Sequence, residues 1–169
     1  NVQSEKNRLD GIISNIGEGL IVYDSNFKIL MFNKAAKEIF NLNESRVLNR
    51  IITIESVRDP ELNILTRIIY PSLAPTIVRI SDQGVSPQIV EISFEEPRLE
   101  LRVTTTRLVD ENNKVIGFLK VVRDRTREVE LLRSKSDFIK IAAHQLRTPL
   151  SALNWIFESL ENESLAKGQ

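Results

Sequence analysis

The chain has 169 residues, 23 Lys and Arg against 23 Asp and Glu, a formal charge of zero, one histidine and no cysteine. That length suits one domain of ordinary size plus an appendage. Balanced charge gives no basic footprint for nucleic acid, absent cysteine removes disulfides, thiol nucleophiles and thiolate metal sites, and no apolar run approaches the ~18 residues of a membrane span.

Val2, Leu9 and Ile16 are spaced by seven, with Ile12 and Ile13 between the last two. This predicts an amphipathic helix over residues 1–16, either entering from an upstream segment or packing on its own domain. Gly17 and Gly19 end it. Leu20 to Tyr23 is a β-rich run, Asp24-Ser25-Asn26 a turn, and Lys28 to Phe32 the second strand of a hairpin. Asn33 stands as N-cap to a helix over Lys34 to Phe40. Asn41 to Ile54 reads as irregular, with one helical turn near Glu44 to Leu48. Asp59 and Pro60 have the chemistry of a cap and a first helical residue, which predicts a helix starting there and ending before Pro71.

From Thr76 the period changes to two. Thr76 to Ser81 and Gln88 to Phe94 read as strands, separated by a turn at Asp82-Gln83-Gly84 and followed by a break at Glu95-Glu96-Pro97. Leu99, Leu101, Val103 and Thr105 alternate with Glu100, Arg102, Thr104 and Thr106, the pattern of a long strand with one buried face. Asp110 to Lys114 is a hairpin loop, and Val115 to Val122 is nearly all apolar, as in a central strand. Strands segregated from helices give an α+β fold. Asp124 to Glu128 joins the last strand to a long helix without a Gly/Ser-rich linker, so the junction is expected to be stiff.

In that helix Leu132, Ile139, Leu146, Leu153 and Leu160 recur at intervals of seven, with Ala142 and Ile156 in the second seam position. This is the stripe of a coiled-coil-type helix that packs against other helices. With the leucine series at position a, His144 falls at f and points away from the seam. Its helical neighbours at three and four residues are Lys140, Ile141, Arg147 and Thr148. Pro149 has no N–H for the Gln145 carbonyl, which predicts a bend after the histidine.

Ser136-Asp137-Phe138-Ile139 leading into His144-Gln145-Leu146-Arg147-Thr148-Pro149-Leu150 resembles the phosphoacceptor box of sensor histidine kinases. The region from Leu9 to Thr126 resembles a PAS domain, through Gly19 to Asp24, the strand ending at Asn33, and Asp124-Arg125-Thr126. The last resembles the Asp-x-Thr signature by which PAS domains hand over to an output helix. The resemblance implies a PAS-like antiparallel sheet flanked by helices. It divides the chain into an N-terminal helix (1–16), a sensor domain (17–124) and a signalling helix that becomes the first helix of a phosphoacceptor domain (125–169).

It further implies a homodimer in which Asp124 and Thr126 transmit a signal to His144, which then passes phosphate to a response-regulator aspartate. Ser151 and Trp155, on the same outer face, would meet the regulator; Trp155 equally suits a second helix of a hairpin. Such kinases bind ATP and Mg in a separate domain with Asn- and Gly-rich boxes. No such loop occurs here, so this stretch is expected to bind no cofactor and to be inactive alone. A cytoplasmic setting is expected, with membrane contact only through upstream segments of the parent.

A phosphoacceptor needs a neutral imidazole nitrogen with open access, and imidazole is mostly neutral at pH 7. Lys140 and Arg147 put positive charge beside it, which balances an attached phosphoryl group. Gln145 departs from the family, which carries Glu or Asp there to take a proton from the imidazole. An amide oxygen can orient the ring but is no base at neutral pH. Thr148 occupies the place where the family positions water for phosphatase activity.

In the sensor part, absent cysteine excludes a thiol-adduct flavin, and the only histidine lies in the output helix, which excludes a haem held by histidine. A packed core acting as a dimeric relay is favoured over a ligand pocket; Ile64, Ile68, Ile69, Phe118 and Val121 would line any pocket. The alternative function is a PAS sensing or dimerisation module whose last helix docks elsewhere without phosphotransfer.

Overall fold

In a computed structural model the chain forms two units, Asn1–Thr126 and Arg127–Gln169, and the structure describes residues 2–166. The first unit holds α1 (Val2–Asn15), β1 (Gly19–Asp24), β2 (Ile29–Phe32), α2 (Lys34–Phe40), α3 (Glu44–Val47), α4 (Asn63–Ile69), β3 (Thr76–Arg79), β4 (Gln88–Phe94), β5 (Leu99–Val109) and β6 (Val115–Asp124). The second is built on α5 (Thr126–Ala166).

All six strands form one antiparallel sheet in the order β2-β1-β6-β5-β4-β3. The α+β class read from the sequence is the class observed. β6 lies in the interior of the sheet between β1 and β5, which is why its sequence is nearly all apolar. One face of the sheet carries the core: Ile21, Ile92, Leu101, Val103 and Val122 meet Leu62, Leu65 and Ile68 of the helical segment, all fully buried or nearly so.

Short-range chemistry sets the turns. Asp24 Oδ1 accepts from the N–H groups of Asn26 and Lys28 at 2.8 and 3.0 Å. Asp110 Oδ1 accepts from Asn112 and Lys114 at 2.9 Å each. Each aspartate thereby closes its hairpin loop around one residue with positive φ, Phe27 and Asn113 respectively. Asn33 caps α2 as expected, its Oδ1 taking the Ala36 N–H at 3.0 Å.

Several boundaries differ from the sequence reading. Gly19 opens β1 rather than closing α1, and a Cβ there would sit 3.2 Å from the Ala36 backbone, so glycine permits α2 to approach the strand. The helix expected from Asp59 starts at Asn63: Ile54–Arg58 is a 3-10 turn, and Asp59 Oδ1 caps a separate turn through the Glu61 N–H at 3.0 Å. β3 ends at Arg79 because Ile80 and Ser81 both donate to the Ile89 carbonyl, which breaks the ladder.

Candidate functional sites

The sheet ends in a polar clasp. Thr126 donates its N–H to Asp124 Oδ1 at 2.9 Å and its hydroxyl to the same oxygen at 2.5 Å. The Thr126 hydroxyl oxygen accepts from the Glu100 N–H at 3.0 Å, and Arg125 N–H donates to the Glu100 carbonyl at 2.8 Å. The Arg125 guanidinium pairs with Glu91, which also takes Arg102 at 2.7 Å. Residues 124–126 are thus tied to β5 and β4 within the first unit. A Thr hydroxyl suits the place because it donates and accepts at once.

His144 lies on α5 and is solvent-exposed, as are Lys140, Gln145, Arg147, Thr148, Pro149, Ser151 and Trp155. Helical geometry puts Lys140, Arg147, Thr148, Ser151 and Trp155 on the same side as His144, whereas Gln145 is turned about 100° away. Trp155 is 70% exposed. Lys140 makes a 3.8 Å pair with Asp137, a contact between two exposed groups worth little. The helix runs through Pro149 to Ala166. None of the described residues of α5 is buried, and the stripe Leu132, Ile139, Leu146, Leu153 and Leu160 is half or more exposed. Leu131 and Phe138 widen the stripe on one flank before His144; Leu150 and Phe157 widen it on the other flank after it.

On the sheet, the core face changes character along the strands. It is apolar through Ile92, Leu101 and Val103, then turns polar in a row that crosses three strands: Gln88 opposes Thr105, and Thr105 opposes Lys120. Lys120 is only 3% exposed, and its ammonium donates to Thr105 Oγ1 at 2.9 Å. Burial pulls its pKa from 10.5 down to about 8. These three residues line a cleft of about 460 Å³ with Phe118, Val90, Arg79 and Arg107.

Of the residues expected to line a pocket, Phe118 does so. Ile68 and Ile69 are in the core, and Val121 sits on the other face of β6, because side chains alternate along a strand. Lys120 went unmarked in the sequence reading. Its signal was a lone cation in an apolar strand, in step with Phe118 and Val122 of the buried face. Among the described residues no group of three or more His, Asp or Glu is placed to hold a metal, and no helix is long and apolar enough to cross a membrane.

A profile of the family described as PAS fold matches residues 7–125. Drug sensory protein A of Synechocystis sp. is 27% identical over 170 residues, covering 93% of this chain and 26% of that protein. Sensor protein kinase WalK of Staphylococcus aureus is 26% identical over 162 residues, covering 95% and 24% respectively. The chain therefore spans about a quarter of the length of these curated relatives. Among solved structures, the PAS domain of BvgS from Bordetella pertussis superposes with a TM-score of 0.54 at 17% identity, covering 80% of this chain and 96% of that one. That likeness is one of fold.

Proposed function

The chain belongs to the PAS fold family, and from that premise we propose that it is the sensing and phosphoacceptor portion of a homodimeric two-component sensor histidine kinase working in the cytoplasm. The observation that carries this reading is the ordered string from His144 to Leu150 on an exposed face of a 41-residue helix. Relatives that align through this same stretch include a sensor protein kinase.

A helix of this length that buries none of its described residues in its own chain needs partners, because helical stability comes mostly from packing an apolar face. The a/d stripe suits a second copy of the chain. The change of flank after His144 suits a further helix on the C-terminal half, which gives the bundle a place to surround the histidine without covering it.

In the proposed reaction an imidazole nitrogen of His144 attacks the γ-phosphorus of ATP held by a catalytic domain outside this stretch. A P–N bond forms, the bond to the bridging oxygen breaks, and ADP leaves with that electron pair. The imidazole proton passes to water, since Gln145 offers only an amide oxygen to orient the ring. Lys140 and Arg147 offset the charge of the phosphohistidine. The phosphoryl group then moves to a carboxylate of a response regulator docked along Ser151 and Trp155, with Thr148 beside the histidine for the reverse, water-using reaction.

The test supplies a matching kinase core in trans with radiolabelled ATP. Label on the chain in acid-labile, base-stable form, lost in His144→Ala, is the expected result. Label that persists in the variant would overturn the assignment and leave a PAS module whose helix docks elsewhere.

A further inference from the structure

Burying an ammonium in a protein interior is unfavourable, and a Met or Leu of similar size would fill the same space at lower cost. Lys120 is nevertheless placed in the interior of the sheet, on the core face, in the same cross-strand row as the buried Ile21 and Phe32. Among the described residues no carboxylate pairs with it; its partner is the neutral hydroxyl of Thr105. No carboxylate lines the cleft either, while Arg79 and Arg107 stand exposed at its rim. The result is a concentration of positive charge in a chain of zero net charge.

The donors converge. Thr105 accepts from Lys120, which leaves its own O–H free to donate, and the Gln88 amide adds N–H groups beside it. One buried cation and two neutral donors match one negative charge spread over two oxygens. Beyond them the cleft is apolar: Val90 forms part of its wall, and Phe118 is backed by Tyr23 with ring centroids 5.4 Å apart. A volume near 460 Å³ falls in the range of small-molecule sites.

We propose that this cleft is a binding site for a small monocarboxylate with an apolar body, its carboxylate held by Lys120 and Thr105 and drawn in by Arg79 and Arg107. The apolar body lies against Phe118 and Val90. The site makes the first unit a ligand sensor instead of a ligand-free relay. It goes beyond the phosphotransfer reading and does not rest on it, since every residue involved belongs to the first unit.

The test titrates the whole chain by calorimetry with octanoate and benzoate, each against its primary amide, and with inorganic phosphate. At least one carboxylate should bind saturably and about tenfold or more tighter than its amide, because a charged acceptor strengthens the hydrogen bonds it takes. Lys120→Met should abolish that preference, and Thr105→Val should weaken carboxylate binding severalfold. Equal binding of acid and amide, no saturable binding of either carboxylate at millimolar concentration, or binding of phosphate alone would each overturn the proposal. Unchanged carboxylate affinity in Lys120→Met would do the same. The contrast between acid and amide is read on the unmutated chain, so the outcome stands even if a variant fails to fold. A negative result here leaves the labelling of His144 untouched, and a failure of that labelling leaves this site untouched.

Discussion

Lys120 on β6 and Thr105 on β5 face each other across the ladder, ammonium to hydroxyl at 2.9 Å, where the buried face of the sheet would ordinarily be apolar. The pair gives the ammonium one hydrogen-bond acceptor without neutralising its charge. That distinction separates a polar group that stabilises the fold from one the fold carries at a cost.

Lys120→Met should therefore make the chain more stable at neutral pH. A pKa lowered from 10.5 to about 8 by burial corresponds to on the order of 3 kcal/mol of destabilisation by the charged form. The sign follows from proton counts. Below pH 8 the lysine is charged in both states and the penalty is whole. Between 8 and 10.5 the folded state gives up its proton first, so the unfolded state binds more protons and stability rises with pH. Tyr23 and Tyr70, both pushed up chiefly by burial, act in the opposite sense only above pH 10, where the unfolded tyrosines ionise first. Urea melts at pH 7 and pH 9.5 should show stability rising in the wild type and flat in Lys120→Met. A wild-type curve that is also flat would mean that water reaches the ammonium.

The Asn33 side chain makes four hydrogen bonds. It is 6% exposed; its Oδ1 accepts from Leu20 N–H at 2.8 Å and Ala36 N–H at 3.0 Å, while Nδ2 donates to the carbonyls of Glu18 at 3.0 Å and Ile13 at 3.2 Å. One amide thus joins β1, the start of α2 and the end of α1. Asn33→Ala should cost ~3 kcal/mol, a lost cap plus unsatisfied backbone groups. Asn33→Asp keeps the acceptor contacts and loses the donors, so it should fall between the two in a denaturant melt. An alanine variant within experimental error of the wild type would show that water replaces the amide at little cost.

These residues also show what the sequence made legible. Asn33 as a cap, Asp24 and Asp110 as turn formers, and the alternation of β5 are local chemistry, decided within a few residues, and they appear where expected. The start of α4 was misplaced because Asp59 and Pro60 suit a lone turn as well as a helix, and only the packing of Leu62 and Leu65 selects Asn63 as the first helical residue. Lys120 was hidden for a different reason. Its meaning depends on Thr105 and Gln88 lying opposite across three strands, a pairing register that no single strand states. Likewise the clasp at Thr126 depends on Glu100, 26 residues away.

Thr126→Val removes the hydroxyl that links Asp124 to the Glu100 amide while keeping the shape of the side chain. Loss of a typical hydrogen bond is worth about 1 kcal/mol, a factor of roughly five in an opening equilibrium. Hydrogen exchange of the Glu100 amide should accelerate by about that factor, with the amides of β1 unchanged. If the domain relays a signal through this point, the same variant should also flatten the dependence of His144 labelling on the bound carboxylate. Unchanged exchange at Glu100 would mean that Asp124 and Arg125 hold the junction without the hydroxyl.

Gln145 offers the most direct probe of the chemistry at His144. In attack on phosphorus the imidazole becomes cationic as the P–N bond forms, and loss of the one proton on its other nitrogen gives the neutral phosphorylated ring. A carboxylate one residue along the helix can accept that proton; an amide cannot. General-base assistance contributes roughly 10²- to 10⁴-fold where proton transfer limits the rate. Gln145→Glu should therefore raise the initial rate of labelling by tenfold or more, measured with the kinase core in excess, and leave the final extent of labelling unchanged. The gain should disappear as pH falls through the carboxylate range, since a protonated Glu is no better a base than Gln. A variant with the wild-type rate would place the slow step elsewhere, in the motion that brings His144 to the nucleotide. In that case the clasp at Thr126, and not the residue beside the histidine, would govern the output.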